Sequence, residues 1–268
     1  MIALMLADLR ARRRSLAAIG IGCFVVLIAF ASTYTAFGGA QGVMRAFGAS
    51  GSFQKIIAAL SGSPTADIYT ASGWLGYCFS HPIVEFLMIG VAVSSGVAAV
   101  ATDVETGRAE MLYTAPVSRS TVLAARLLGW LIAQGAVLAC LVAGAVLGSR
   151  LSSAMSGVSP LVPVRVGLQF AALLYFLGAA AFAASARSRT RGTALAVAIG
   201  VAAGSYAANL VALLWSPVGF VRHLNPFGYY NSTAAAQHVN WPDLGLLVSA
   251  GTLLLMLSRH WLETRDLT

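Results

Sequence analysis

The sequence has little charge, a single lysine and no motif of a catalytic or nucleotide-binding site. Charged residues make up 10% of the 268 residues and hydrophobic residues 58%, and the mean hydropathy is +0.80. Soluble domains carry roughly 25% charged residues, so this chain lacks the polar surface that a protein needs in water. The composition therefore predicts an integral membrane protein.

The missing motifs exclude several functions for this chain. Its only lysine, Lys55, follows Gln54, so the chain has no phosphate-binding loop of the form Gly-x-x-x-x-Gly-Lys-Ser/Thr. It also has no His-Glu-x-x-His zinc motif and no Gly-x-Ser-x-Gly nucleophile elbow. The three cysteines lie in or near apolar runs and show no metal-ligand spacing. We expect no active site, cofactor site or metal site in this chain.

Arginine supplies nearly all of the net charge of +8. Such a charge fits either nucleic acid or anionic lipid as a partner. The arginines flank apolar runs, so we expect membrane lipids as the partner and no nucleic acid.

Six apolar runs are long enough to cross a bilayer. A helix rises about 1.5 Å per residue, so the first run is about 33 Å long against a hydrocarbon core of about 30 Å. The alternative, a secretory signal peptide, is disfavoured because more apolar runs follow. The sequence predicts one all-α, polytopic membrane domain, residues 1–268, with transmembrane helices at residues 16–37, 82–101, 127–149, 166–186, 192–215 and 242–262.

Residues 1–15 place apolar side chains such as Ile2 and Leu6 against a run of arginines. This pattern predicts an amphipathic helix that lies on an anionic membrane surface. The termini, residues 103–126 and residues 187–191 together hold 12 of the 17 basic residues. The positive-inside rule therefore predicts that both termini and the loop at residues 103–120 face the cytoplasm.

Glu85 lies inside a predicted span, and the only other acidic residue within the predicted bounds, Asp243, is the second residue of the last span. An ionisable residue in hydrocarbon is by default a functional-site hypothesis. Glu85 also lies about one helical turn from the predicted end of its span, where a headgroup, water or Arg45 could compensate it. Both interpretations stay open from the sequence.

Two pairs of glycines have the small-xxx-small spacing that lets helices approach closely in lipid: Gly144 with Gly148, and Gly200 with Gly204.

The loop at residues 103–120 is where charges of both signs accumulate between two apolar runs. It holds three of the nine acids, Asp103, Glu105 and Glu110, together with Arg108 and Arg119. A polar loop with a glycine and a proline between two spans has the character of a docking surface. We interpret it as the place where another protein binds.

This loop resembles the cytoplasmic loop of ABC-2 type transporter permeases, which commonly read Glu-x-Gly-x-x-Glu-x-Leu and then Pro-Val-Ser/Thr-Arg. The matching positions here are Glu105, Gly107, Glu110, Leu112, Pro116, Val117, Ser118 and Arg119. The tail sequence Arg265-Asp266-Leu267 is similar to the ending of many such permeases. The loop is closest to permeases that export polyketide antibiotics and other drugs, of which this chain would be a half-size version.

The resemblance implies a fold and a mechanism. The loop would form a coupling helix that docks on a separate cytoplasmic ABC ATPase, with two ATPase subunits and a second permease chain in the complex. ATP and Mg would bind the ATPase, and the permease would export a hydrophobic or amphipathic compound across a bacterial inner membrane. The coupling residues would be Asp103, Glu105, Gly107, Arg108, Glu110, Pro116 and Arg119.

Two other functions remain open from the residues alone. One is an ion-coupled secondary transporter or channel that uses Glu85. The other is a membrane scaffold that recruits a cytoplasmic partner through the loop.

Overall fold

The computed structural model describes residues 1–47, 51–60, 68–107 and 118–264, with only the backbone at residues 52–54 and 119. These residues form α-helices and short 3-10 turns, and no strand occurs among them. The all-α fold predicted from the sequence is confirmed. Five of the described helices are long and apolar enough to cross a membrane, or six if one bent pair counts as a single span.

We number the described helices in chain order. They are α1 (Ile2–Ala36), α2 (Gly39–Phe47), α3 (Gly51–Leu60), α4 (Ala71–Ser80), α5 (Pro82–Val97), α6 (Ala101–Glu105), α7 (Arg119–Leu151), α8 (Leu161–Arg187), α9 (Arg191–Leu214), α10 (Ser232–Ala235) and α11 (Trp241–Thr264).

Helix α1 differs from the prediction of a surface helix at residues 1–15 and a separate span at 16–37. The structure has one uninterrupted helix of 35 residues. No proline or glycine precedes Gly20, so nothing breaks the helix where the sequence changes from charged to apolar. Met5 and Asp8 lie near Gly129 of α7, which places the first turns of α1 alongside another helix.

The second predicted span, residues 82–101, also needs correction. Helices α4 and α5 form a pair bent by 47° at His81. Pro82 causes the break, because proline disfavours a helical conformation at the residue before it, and His81 is extended with φ −62° and ψ 128°. Counted as one span, the bent pair starts at Ala71 rather than at Pro82, and α5 ends at Val97.

The other four predicted spans lie on long helices. Helices α7, α8 and α11 contain the predicted runs entirely, and α9 ends one residue before the predicted boundary at residue 215. Both α7 and α8 begin several residues before the predicted runs, so the residues ahead of each run belong to the same helix.

Helix α8 forms the centre of the bundle. Of its most apolar 18 residues, 72% are buried, against 22% for the corresponding stretch of α9 and 17% for α11. Helices α4, α5, α7, α9 and α11 all pack against α8. The helices around it keep apolar side chains such as Ile199 and Leu253 exposed, as expected for a surface that faces lipid or a partner protein.

Helices α1 and α7 pack with their backbones almost in contact. A Cβ atom added at Gly144 would lie 2.3 Å from the backbone oxygen of Phe24, and one added at Gly148 would lie 2.8 Å from Ala31 Cβ. Any larger residue would force the helices apart. At Gly200 and Gly204 of α9 an added Cβ would meet nothing within 4 Å, so no described helix packs closely against this second glycine pair.

The bundle brings the segments predicted to be cytoplasmic to one end. The start of α1, α6, the start of α7 and the turn between α8 and α9 are joined there by hydrogen bonds. The end of α11 joins them, because the Arg187 guanidinium lies 4.9 Å from the centre of the Trp261 ring. The connection between α9 and α11, residues 215–240, includes α10 and lies at the opposite end beside α4.

Candidate functional site

The described part of the predicted docking loop is a short helix and turn at the end of the second span. We call residues 101–107 the loop base; it contains α6 and follows a turn at residues 98–100. Gly107 ends the loop base with φ +71°. This left-handed conformation is strained for any residue with a Cβ atom, which explains a glycine at this position.

Arg126 connects the loop base to two long helices. Its Nη2 donates to Asp103 Oδ2 at 2.6 Å, and its Nη1 donates to Asp8 Oδ1 at 2.9 Å. The side chains of Arg126 and Asp103 are only 19% and 8% exposed. Hydrogen bonds between ionised groups are about twice as strong as neutral ones, and low exposure weakens screening by salt. One guanidinium therefore holds α1, α6 and α7 together.

A fourth charge completes this cluster. Arg12 Nη2 lies 3.2 Å from the same Asp8 oxygen, one helical turn further along α1. Two arginines and two aspartates then balance to no net charge. Such a balanced group is stable where the protein partly excludes water, whereas a lone charge there would be costly.

Ser185 of α8 connects the loop base to the central helix. Its hydroxyl accepts hydrogen bonds from the backbone N–H groups of Val100 at 3.2 Å and Ala101 at 2.8 Å, and donates to the Val97 carbonyl at 2.6 Å. The first N–H groups of a helix have no partner within that helix. Ser185 is fully buried, and it supplies the partners that the start of α6 needs.

Glu105 connects the loop base to α9. Its Oε2 accepts a hydrogen bond from the backbone N–H of Arg191 at 2.8 Å. Arg191 is the first residue of α9. A carboxylate at a helix N-terminus pairs with an unsatisfied N–H group and with the positive end of the helix dipole.

The far end of the loop is fixed by a helix cap. Ser118 is the N-cap of α7, and its hydroxyl accepts a hydrogen bond from the Thr121 N–H at 3.2 Å. This capping role explains a serine in the Pro-Val-Ser-Arg sequence.

The structure places three of the predicted coupling residues together in the loop base: Asp103, Glu105 and Gly107. Three others lie outside the described residues: Arg108, Glu110 and Pro116. Arg119 begins α7, and its side chain is not described. The role of all seven in coupling stays a prediction.

Sequence reasoning missed the residues that hold the loop base in place. Asp8, Arg126 and Ser185 are its partners, and two of them lie more than 80 positions away from the loop base in the sequence. A signal existed for Arg126, which is the last charge before the apolar run at 127–149 and follows the loop directly. Nothing in the sequence distinguished Ser185 from the many other small residues of α8.

Glu85 lies far from the loop base. It is in the first turn of α5, 12 residues before Val97 and so about 18 Å along the helix. Its side chain is only 2% exposed, and none of the ion pairs of the described residues includes it. Exposed Arg45, offered from the sequence as a partner, is therefore not one in this structure.

Glu85 lines a small space that we call the Glu85 cavity. Its walls come from α3, α4, α5, α9 and the 215–240 connection: Ala59, Leu60, Ser80, Glu85, Tyr206, Asn209, Phe227 and Tyr230. Burial raises the pKa of the Tyr230 hydroxyl well above its usual value, and the nearby Glu85 carboxylate adds to the shift. Tyr230 is thus a neutral hydroxyl next to a carboxyl group.

Among the residues that the structure describes, no three His, Cys, Asp or Glu side chains come close enough to hold a metal ion together. The loop base offers ion pairs and caps, which position a segment but carry out no reaction.

Comparison with known families identifies the family of the chain. A family model described as "ABC-2 family transporter protein" matches residues 2–227, most of the chain. The chain belongs to the ABC-2 transporter family. As an ABC-2 protein it is the membrane component of a transporter and a multi-pass membrane protein. The match includes α1 to α9, and with them the loop base and Glu85. No curated protein matches the chain.

Proposed function

We propose that this ABC-2 protein is the permease of an ATP-driven exporter in a bacterial inner membrane. Two separate cytoplasmic ABC ATPase subunits bind ATP and Mg and hydrolyse the ATP, and one docks on the loop at residues 103–120 of each permease. The observation that carries this proposal is the attachment of the loop base to four long helices, through Arg126, Ser185 and Glu105.

This attachment supports a mechanical role for the loop. A force on a loosely held loop would bend the loop alone, whereas the loop base is bonded to α1, α7, α8 and α9. Movement of a docked ATPase would thus reach these helices as a rigid-body displacement. The charged loop residues beyond the loop base would contact the ATPase, among them Arg108, Glu110 and Arg119.

The exposed face of α5 and α9 supports pairing with a second permease chain. Phe86 and Ile199 are 48% and 54% exposed there, and Gly200 and Gly204 leave the surface of α9 open. Small residues beside apolar ones allow close helix contact in lipid. A symmetric pair of chains would bury this face and enclose a path between them.

Two adjoining cavities along α5 support a hydrophobic or amphipathic substrate. One, of about 280 Å³, is lined by apolar side chains of α5 and α9 such as Ile89 and Leu195. The other, of about 380 Å³, lies beside the loop base and includes Arg12 and Arg191. Ser94 lines both cavities. A compound with an apolar body and a polar end fits this combination.

The proposal is tested by reconstituting the purified permease in vesicles with and without its ATPase partner. We expect ATP-dependent uptake of apolar fluorescent compounds into inside-out vesicles only when both proteins are present. Glu110→Lys and Arg119→Glu should each abolish the stimulation of ATPase activity by the permease. Glu263→Lys at the end of α11 is the matched control, because it reverses an exposed charge outside the loop.

The competing functions give different results in the same experiment. An ion-coupled transporter that uses Glu85 would move compounds without the ATPase, driven by an ion gradient. A membrane scaffold would bind the ATPase and move nothing. Either result, or labelling of residues 103–119 from the outer medium, would refute the exporter.

A further inference from the structure

The Glu85 cavity is a polar space inside an apolar part of the bundle. It has a volume of about 10 Å³, which is about the smallest space that holds one water molecule or ion. No substrate of the exporter fits there. Its residues come from distant parts of the chain, which meet only in the folded protein.

The Glu85 carboxylate is the unusual group among those that line the cavity. An ionised carboxylate removed from water is costly unless a positive charge or several hydrogen bonds compensate it. Among the described residues, the other titratable groups that line the cavity are the hydroxyls of Tyr206 and Tyr230, and neither can supply a positive charge. Among the described lining residues there is no arginine, lysine or histidine.

The neutral groups present more acceptors than donors. Ser80 donates its hydroxyl hydrogen to Ser232 Oγ at 2.6 Å, which leaves its lone pairs for the cavity. Asn209 is 4% exposed, and its Oδ1 has no hydrogen-bond partner in the described part of the chain. The buried Tyr206 hydroxyl also lacks one there. The Tyr206 and Tyr230 hydroxyls can donate to the carboxylate, but none of the described lining groups carries a positive charge, so the missing component is a positively charged one.

We propose that Glu85, Ser80, Asn209 and Tyr206 bind one alkali cation, such as Na⁺, in this cavity. Hard cations prefer carboxylate, carbonyl and hydroxyl oxygens, which are the atoms that these residues supply. A monovalent ion with one carboxylate leaves no net charge in the apolar surroundings. A divalent ion would leave one positive charge uncompensated.

The cation has a structural consequence for the end of the bundle opposite the loop base. It bridges α4, α5 and α9 beside the 215–240 connection, which Phe227 and Tyr230 anchor against the same cavity. Occupancy therefore stabilises the packing of this end. This binding does not depend on the ATPase or on the exported compound, so it is measured on the permease alone.

The test uses the purified full chain in nanodiscs, prepared without alkali ions in choline chloride at pH 8. The midpoint of thermal unfolding is followed while Na⁺ replaces choline at constant ionic strength. We expect a saturable rise of about 3 °C or more with Na⁺, as for any ligand that binds only the folded state. Glu85→Gln should abolish the rise, and Asn209→Leu should shift its midpoint to higher Na⁺ concentration. Glu105→Gln, an exposed carboxylate outside the cavity, should respond as the wild type does.

Three results would overturn the proposal. The first is an equal rise when choline chloride alone is increased. The second is a sodium response that persists in Glu85→Gln. The third is stabilisation by lower pH without any response to Na⁺, because the cavity would then hold a protonated carboxyl group. Should Glu85→Gln fail to fold, the wild-type ion series and Asn209→Leu decide the question. Failure of these tests leaves the ATPase experiments above unaffected.

Discussion

Buried carboxylates near the two ends of helix α5 have opposite surroundings, ion pairs at one end and neutral groups at the other. At the loop base, Asp103 and Asp8 share the guanidinium of Arg126, at 2.6 and 2.9 Å. At the other end, Glu85 lies among neutral oxygens such as Asn209 Oδ1, with no ion pair to any described residue. The first arrangement is complete within the described protein and fastens helices to one another. The second has no such partner among the described residues, and the proposed cation would supply it.

The largest loss of stability is expected when the Arg126 ion pairs are removed. Arg126→Leu leaves two partly buried aspartates without their shared cation and should cost about 3 kcal/mol of stability. Thermal or denaturant unfolding of the purified permease measures this. Arg12→Leu is the matched control, since the one ion pair of Arg12 among the described residues is to Asp8, at 3.2 Å; it should cost less than about 1 kcal/mol. Equal losses for the two variants would contradict the bridging role of Arg126.

Neutralising one carboxylate near each end of α5 should change the stability of the protein by unequal amounts. Asp103→Asn weakens a charged hydrogen bond and should cost about 2 kcal/mol. In sodium-free buffer Glu85→Gln removes a charge that lacks a counter-ion, so its stability should equal or exceed that of the wild type. The unfolding midpoints of both variants in choline buffer provide the measurement. A large loss for Glu85→Gln under these conditions would mean that the carboxylate has a partner of its own.

Replacing two buried serines with alanine should give a smaller difference in stability. Ser185→Ala leaves the N–H groups of Val100 and Ala101 without their acceptor, and we expect a loss of about 2 kcal/mol. Ser80→Ala removes one hydroxyl-to-hydroxyl bond, to Ser232, and should cost about 1 kcal/mol. Hydrogen exchange at Val100 and Ala101 should speed up only in Ser185→Ala. Unchanged exchange there would exclude the serine as the acceptor that orders α6.

The smallest effect is expected for Glu105→Gln. The side chain is exposed and makes one hydrogen bond to the start of α9, so we expect a loss of about 0.5 kcal/mol that shrinks as salt is added. Stability measured at low and high ionic strength checks this. A loss that salt does not change would point to a contact other than the helix dipole.

The sequence predicted the long helices well because hydrophobic length and charge placement determine them directly. It also located the loop, through a motif whose serine proved to cap α7 and whose glycine has a positive φ. The break at His81 had a visible cause in Pro82, but the helix before it is rich in small and polar residues and did not stand out as part of a span.

The partners of the two carboxylate sites were beyond sequence reasoning. Asp8 and Arg126 are 118 positions apart, and the Glu85 cavity joins residues of α4, α5, α9 and the 215–240 connection. Such contacts depend on how helices pack around α8, which hydropathy does not specify. Glu85 was recognised as unusual from its position alone, but its enclosure became visible only in the folded chain.

The contact of α1 with α7 at Gly144 limits how the transporter can change shape. Backbones this close cannot slide or rotate past each other without collision, and Arg126 pins the same two helices at their other end. In the proposed exporter the two helices would therefore move as one unit. The contacts that open and close the pathway would lie between other helices, where side chains rather than backbones touch.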